Sequence, residues 1–333
     1  MHFSTLTNLI LPLTPLLFLP QTHASHLAIA DQKSQTIRVF PRSAPSWTQS
    51  TIHWEFDPSG ANSLFTSTNP WHDVSDVRIR KTAKHGWVAL VAASRGMVGI
   101  VDIQKGRPRT GVQDVLWSAY TGGNPHAIER IPYVGGLVVA SSQSHALTLY
   151  APVGDGGVSD YARVRKVATY EVEGAHGVLW DPNGGEDPRD GFLWAIGKGY
   201  LYKYRVVGKG EDLRLERLAG KEGKIELPGT GARNGHDLSA SYAHEELLLL
   251  THTSAAYSYN KTSGEFEMLM NMTKLKSLVQ DESGEYVWVR GAKNEMGQYV
   301  SFSEEGDPEV EEDKRGWGDA EFYKARIYDP AYY

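Results

Sequence analysis

The sequence predicts an all-β ring built from repeated multi-stranded units, and three observations carry that prediction. Five stretches begin alike: Ser75-Asp76-Val77, Pro125-His126-Ala127-Ile128, Ala175-His176-Gly177-Val178, Gly235-His236-Asp237-Leu238 and Lys276-Ser277-Leu278. They recur 40 to 60 residues apart and keep one polar column in register: Ser75, His126, His176, His236 and Lys276. Each is followed by a near-continuous apolar run, and 34 glycines and 16 prolines punctuate the chain at turn-like intervals without long helical periods. A unit of this period with one polar position per unit points to radial repetition about an axis, a β-propeller.

The elements follow in order. His26–Ala30 and Thr36–Phe40 read as strands two and three of a unit that lacks its first strand. The next unit has Val74–Arg80, Trp87–Ala93 and Val98–Ile103, with a helix expected near Asp114 to Tyr120. Later second strands are Gly136–Ala140, Phe192–Ile196, Leu247–Leu250 and Tyr286–Val289. Apolar runs of this kind, rather than alternating ones, require burial of both faces. Third strands are Ala146–Tyr150, Tyr200–Tyr204 and Ala255–Tyr259, and Gly197-Lys198-Gly199 is a hairpin turn rather than a phosphate cradle. Phe322–Tyr328 resembles Val74–Arg80, with Arg326 matching Arg78 and Tyr323 falling in the polar column. The expectation is therefore a six-bladed β-propeller in which the C-terminal strand pairs into the N-terminal blade, one domain over 25–333. That closure removes exposed sheet edges.

Composition narrows the function classes. The 34 basic and 40 acidic residues give a net charge of −6 with no basic block, which disfavours nucleic acid. The acidic stretch Glu304 to Asp313 reads as a solvated loop. Cysteine is absent, which excludes disulfides, thiolate chemistry and Cys-ligated metals. Leu9 to Pro20 is a short apolar run ahead of Thr22-His23-Ala24, so residues 1–24 read as a signal peptide and the chain is expected to be secreted. No internal segment is long enough to span a bilayer. Asn260-Lys261-Thr262 and Asn271-Met272-Thr273 are glycosylation sequons at Asn260 and Asn271. The chain is expected to be a monomer, with an extracellular carbohydrate or small molecule as its partner, and neither nucleic acid nor membrane.

The first strand of each blade of a propeller lines the central channel, so His126, His176 and His236 should meet at one rim. Three imidazoles suit acid–base catalysis, because His titrates near working pH. They suit equally a divalent transition metal such as zinc, manganese or iron, which would then be the cofactor. Lys276 extends the column and would hold a carboxylate or neutralise an enolate. Arg78, Glu129 and Asp237 lie along the first strands as further substrate-binding candidates, with Asp237 also placed to orient His236. Asp181 reads as a turn residue at a strand end. Trp71 and Trp317, near the presumed rim, would offer indole platforms for sugar rings, whereas Trp54, Trp87, Trp180, Trp194 and Trp288 read as packing between blades. No G-x-S-x-G elbow, HExxH helix or P-loop is present.

The set Asn124-Pro125-His126-Ala127-Ile128-Glu129, Ala175-His176-Gly177-Val178-Leu179-Trp180-Asp181, Gly235-His236-Asp237-Leu238 and Leu275-Lys276-Ser277-Leu278 resembles a family of secreted microbial six-bladed β-propellers classed as a domain of unknown function. The resemblance covers nearly the whole mature chain and implies fold and export, not an activity. More distantly the arrangement is similar to propeller lyases acting on uronic-acid polysaccharides and to the streptogramin lyase group, which place His, and in some cases a metal, at the channel mouth. Three readings stand side by side: a carbohydrate-active enzyme of lyase type, a non-catalytic glycan- or protein-binding propeller, and a three-His metalloenzyme.

Overall fold

The computed structural model describes residues 26–59, 69–103, 106–184, 187–229, 232–292, 296–303, 307–308, 310–316 and 318–328. The expected signal peptide at 1–24 and Trp317 lie outside the described residues. Six antiparallel sheets form the ring, and their inner strands are Phe322–Ile327 (blade 1), Val74–Thr82 (blade 2), Pro125–Ile131 (blade 3), Gly177–Asp181 (blade 4), Gly235–Ala240 (blade 5) and Leu275–Gln280 (blade 6). Blade 1 is closed as expected: the inner strand from the C-terminus pairs with His26–Asp31, with Leu27 opposite Ile327 and Ala30 opposite Lys324.

The apolar second strands show why both faces must be hydrophobic. In Gly86–Ala93, Val88, Leu90 and Ala92 pack toward blade 3, while Ala89, Val91 and Ala93 pack toward blade 1. The same division splits Phe192–Ile196, where Leu193 and Ala195 face blade 3 and Trp194 and Ile196 face blade 5. Each strand thus feeds two inter-blade cores, and the six buried clusters correspond to the six blade junctions. Trp54, Trp180, Trp194 and Trp288 are each below 2% exposed in these junctions, and Trp87 packs partly buried at the blade 1–2 junction.

Some expectations are corrected. The segment near Asp114 to Tyr120 is not a helix beyond a single 3-10 turn, Val112–Asp114; Val115–Tyr120 is the outer strand of blade 2. Its β-branched and aromatic residues pair with Met97–Asp102, so sheet partners outweigh local preference. The acidic stretch is not wholly a loop, because Glu311–Gly316 forms the outer strand of blade 6 with its charges on a solvated edge. The short strand Arg109–Gly111, within the blade 2 segment, pairs in parallel with Trp54–Asp57 of blade 1. There Arg109 meets Glu55 at 3.1 Å and Asp57 at 2.7 Å, linking the two blades at their outer edge.

Candidate functional site at the channel mouth

A repeated backbone device builds the polar column. In five inner strands the pairing with the second strand slips by one residue, and the residue left over is Ser75, His126, His236, Lys276 or Tyr323. In blade 4 the strand begins at Gly177, and His176 just ahead of it donates its N–H to the Ile196 carbonyl at 3.0 Å. A bulge bends the strand and re-aims the extra side chain, here out of the blade and toward the axis. Two residues earlier the chain turns through the left-handed region at Asp73, Asn124, Gly174 and Lys274, with φ between 60° and 65°. Gly adopts that conformation freely and Asp and Asn tolerate it. Lys274 is a costlier occupant, anchored by its N–H to Thr253 O at 3.3 Å and by Gly291 N to its carbonyl at 2.9 Å.

A chain of contacts links the side chains of the column. The imidazoles of His126 and His176 stack with centroids 4.2 Å apart at 11°, and His236 meets His176 edge-on at 5.3 Å. The hydroxyl of Tyr323 lies 3.0 Å from His126 Nδ1, and the Lys276 ammonium is 6.0 Å from the centre of the Tyr323 ring. Ser75 donates to the Pro125 carbonyl at 2.7 Å, tying blade 2 to blade 3. His176 Nδ1 is 3.0 Å from the Gly174 carbonyl. His126, Lys276 and Tyr323 are 7%, 6% and 5% exposed, while His176 and His236 are partly exposed, so the mouth is narrow and opens on the side of blades 4 and 5.

Burial, reinforced by nearby cations, sets the protonation of these groups. It pushes His126 well below its ordinary range, with His176 and Lys324 adding to the effect. His176 falls to about 4 through burial and the ammoniums of Lys324 and Lys276, against the Gly174 carbonyl bond. His236 falls to about 3 through burial, His176 and Lys276. All three imidazoles are therefore neutral at physiological pH.

Below the column lies a second polar layer with a different character. Arg80 grips Glu129 through two bonds of 2.9 and 2.6 Å, and Arg78 donates to the Leu238 carbonyl at 2.8 Å while standing 3.7 Å from Glu129. Arg326 grips Asp237 at 2.7 and 2.5 Å and reaches Asp76 at 2.9 Å; Lys324 is 3.2 Å from Asp237. The Asp76 oxygens lie within ion-pair distance but outside hydrogen-bond geometry. Burial alone would raise the Asp237 carboxyl, yet Arg326 and Lys324 hold it far below its ordinary value.

These positions revise the site assignment. Arg78, Glu129 and Asp237 are engaged with one another and with Arg80, Arg326 and Lys324 in the buried ion network, so Arg78 is committed there rather than to a substrate carboxylate. Asp237 does not serve His236: besides Arg326 and Lys324 it accepts from Leu278 N at 3.2 Å. Trp71 is not a platform at the rim, because it is 6% exposed, edge-on to Phe56 and packed in the junction of blades 1 and 2. An apolar ring gains more from that junction than from solvent. Asp181 accepts from Asn183 N in a turn, as expected, and also pairs with Lys261 at 2.8 Å. Asn260 sits at the end of Ala255–Asn260 and accepts from Thr262 N and Ser263 N, while Asn271 is exposed just beyond the outer strand of the same blade.

The imidazoles do not form a metal triad. Rings stacked at 11° carry in-plane lone pairs that run side by side instead of converging. Among the described residues, no group of three His, Asp or Glu side chains is placed to hold a metal ion. Lys324 was missed as a site residue, although it directly follows Tyr323 in the column alignment. Two cavities lie elsewhere. One of about 380 Å³ sits on the same face of the ring between blades 6 and 1, near Lys33, Gln298 and Glu321. Another of about 520 Å³ sits at the outer edge of blades 3 and 4, near Tyr170, Tyr204 and Arg217.

No family model matches the chain. No curated protein matches it either. Among solved structures it is similar to a chain in the crystal structure of a nidogen/laminin complex, at 13% identity and a TM-score of 0.57, covering 91% of this chain and 98% of that one. It also matches a chain in the crystal structure of the mitotic checkpoint complex at 12% identity and a TM-score of 0.49, covering 87% of this chain and 76% of that one. At such identities the likeness to the nidogen/laminin chain is one of fold, and the chain is a six-bladed β-propeller closed by its own C-terminal strand.

Proposed function

We propose that the chain is an extracellular carbohydrate-active enzyme of lyase type, working by acid–base chemistry at the histidine mouth of its channel. The observation that carries this reading is the set of three neutral imidazoles from adjacent blades, His126 buried and His176 and His236 partly exposed, gathered beside Lys276 and Tyr323. Neutral imidazoles can accept or donate a proton without first losing a partner charge. The layer beneath sets Asp76, Glu129 and Asp237 against Arg78, Arg80, Lys324 and Arg326, three carboxylates to four cations, and Lys276 adds a further positive charge. The mouth therefore attracts anions.

Elimination beside a carboxylate fits these parts. The Nε2 of His176 removes the proton next to the carboxyl carbon, and Lys276 holds the carboxylate as negative charge builds on it. The C–O bond to the leaving sugar then breaks, its electron pair leaves with oxygen, a C=C bond forms, and that oxygen takes the Nε2 proton of neutral His126; the imidazolate so formed regains a proton as the His176 imidazolium loses the one it took. An arriving carboxylate also raises the pKa of the adjacent imidazoles toward working pH, which strengthens the base when substrate is present. The extracellular part of the reading rests on the expected signal peptide and the sequons of the sequence. A non-catalytic glycan- or protein-binding propeller is the second reading, favoured by the narrowness of the mouth.

Incubation with uronic-acid polysaccharides tests the choice. The enzyme reading expects an unsaturated product that disappears in His176→Gln at an unchanged thermal transition. Saturable binding with no product would establish the second reading, and unchanged turnover in His176→Gln would remove His176 from the chemistry.

A further inference from the structure

The last strand holds His126 at two points, its ring and its backbone, from across the mouth. The Tyr323 hydroxyl lies 3.0 Å from Nδ1, and the Lys324 ammonium donates to the His126 backbone carbonyl at 2.9 Å. Tyr323 packs against the same imidazole with centroids 5.5 Å apart at 27°. Burial, with Asp237 and Asp76 nearby, raises the Tyr323 phenol, so it keeps its proton at any working pH. A neutral imidazole has one N–H and one lone-pair nitrogen, and its partners decide which is which.

His176 has the opposite partner. Its Nδ1 faces the Gly174 carbonyl, which can only accept, so the proton sits on Nδ1 and the lone pair on Nε2. We propose that Tyr323 is a positioning residue: by donating to Nδ1 it fixes His126 with its proton on Nε2, making His126 the donor and its stacked neighbour His176 the acceptor. This assignment rests on the acid–base reading of the mouth. Two adjacent blades carry the same residue type, and the difference in role comes from what each Nδ1 meets. Tyr323 also belongs to the strand that closes the ring, so the donor is complete only when closure is complete.

The test is nitrogen-resolved NMR of the imidazoles in the full chain, wild type beside Tyr323→Phe. The expected wild-type pattern is a protonated Nε2 in His126 and a protonated Nδ1 in His176. In Tyr323→Phe the His126 nitrogens should shift toward a mixture of tautomers while those of His176 stay in place, and turnover should fall through kcat with KM held. A wild-type His126 protonated on Nδ1, or an unchanged His126 pattern in Tyr323→Phe, would overturn the proposal. If Tyr323→Phe does not fold, 3-fluorotyrosine at position 323 provides the same reading. Its more acidic phenol should move the His126 Nδ1 resonance further toward the hydrogen-bonded value, and no movement would overturn the assignment. The tautomer pattern is read without substrate, so a chain with the predicted pattern and no turnover faults the lyase reading alone.

Discussion

The mouth of the channel and the layer beneath it come from the same inner strands, a few residues apart, yet they solve burial in opposite ways. In the deeper layer Asp76, Glu129 and Asp237 meet Arg78, Arg80, Lys324 and Arg326 at 2.5 to 3.7 Å. At the mouth the groups are imidazoles, and burial removes their charge. Buried ionisable groups must either pair or become neutral. A paired charge is committed to its partner, whereas a neutral imidazole can still exchange a proton with something that arrives. The comparison therefore separates a staple from a site within one channel.

The sharpest way to break that contrast is to unpair the deeper layer. Asp237→Ala leaves Arg326 and Lys324 facing each other without their shared carboxylate, and should cost about 3–5 kcal/mol of unfolding free energy in urea. A loss below about 1 kcal/mol would mean that water already reaches the network. Acid provides the next largest effect. His126, His176, His236 and His252 all titrate below their ordinary value in the folded chain, so between pH 6.5 and about 4 the unfolded chain binds protons that the folded chain does not. Stability should therefore fall as pH drops through that window, by about 1.4 kcal/mol per pH unit for each proton. Asp237, whose pKa is depressed, adds its own loss only as pH falls below the ordinary carboxylate range. Replacing His176 and His236 by Gln should remove their two protons from the slope above about pH 4, while a slope unaltered by both changes would place the titration elsewhere. The smallest effect belongs to Ser75→Ala, which removes the bond to the Pro125 carbonyl and should cost about 1 kcal/mol without altering the imidazole protonation.

Much of the architecture was legible because it follows from burial periodicity. Second strands such as Gly86–Ala93 split their residues between two junctions, and that requirement is written as an unbroken apolar run. The closing strand was legible because Arg326 repeats Arg78, and both stand at Asp76, Arg78 from the same strand and Arg326 from the neighbouring closing strand. The outer strands were harder to read: Val115–Tyr120 buries only Trp117 fully and leaves Ser118 and Tyr120 exposed, and Glu311–Gly316 is charged on a solvated edge, so neither is an unbroken buried run. Within the site the column could be read, but not its bulges, because a one-residue slip depends on pairing with a distant strand. Nor could sequence separate the roles of Lys276 and Lys324, or reveal that Arg78, Glu129 and Asp237 were already engaged. Trp71 precedes a strand just as a rim residue would, and only its contact with Phe56 places it in the core.

The most direct test of the contrast between site and staple is a pH titration of the imidazole resonances of the intact chain. The account predicts that His126, His176 and His236 stay unprotonated at pH 5.5, since the folded values of His176 and His236 lie near 4 and 3 and that of His126 is likewise depressed. Titration of all three near 6.5, the value of a hydrated imidazole, would contradict it.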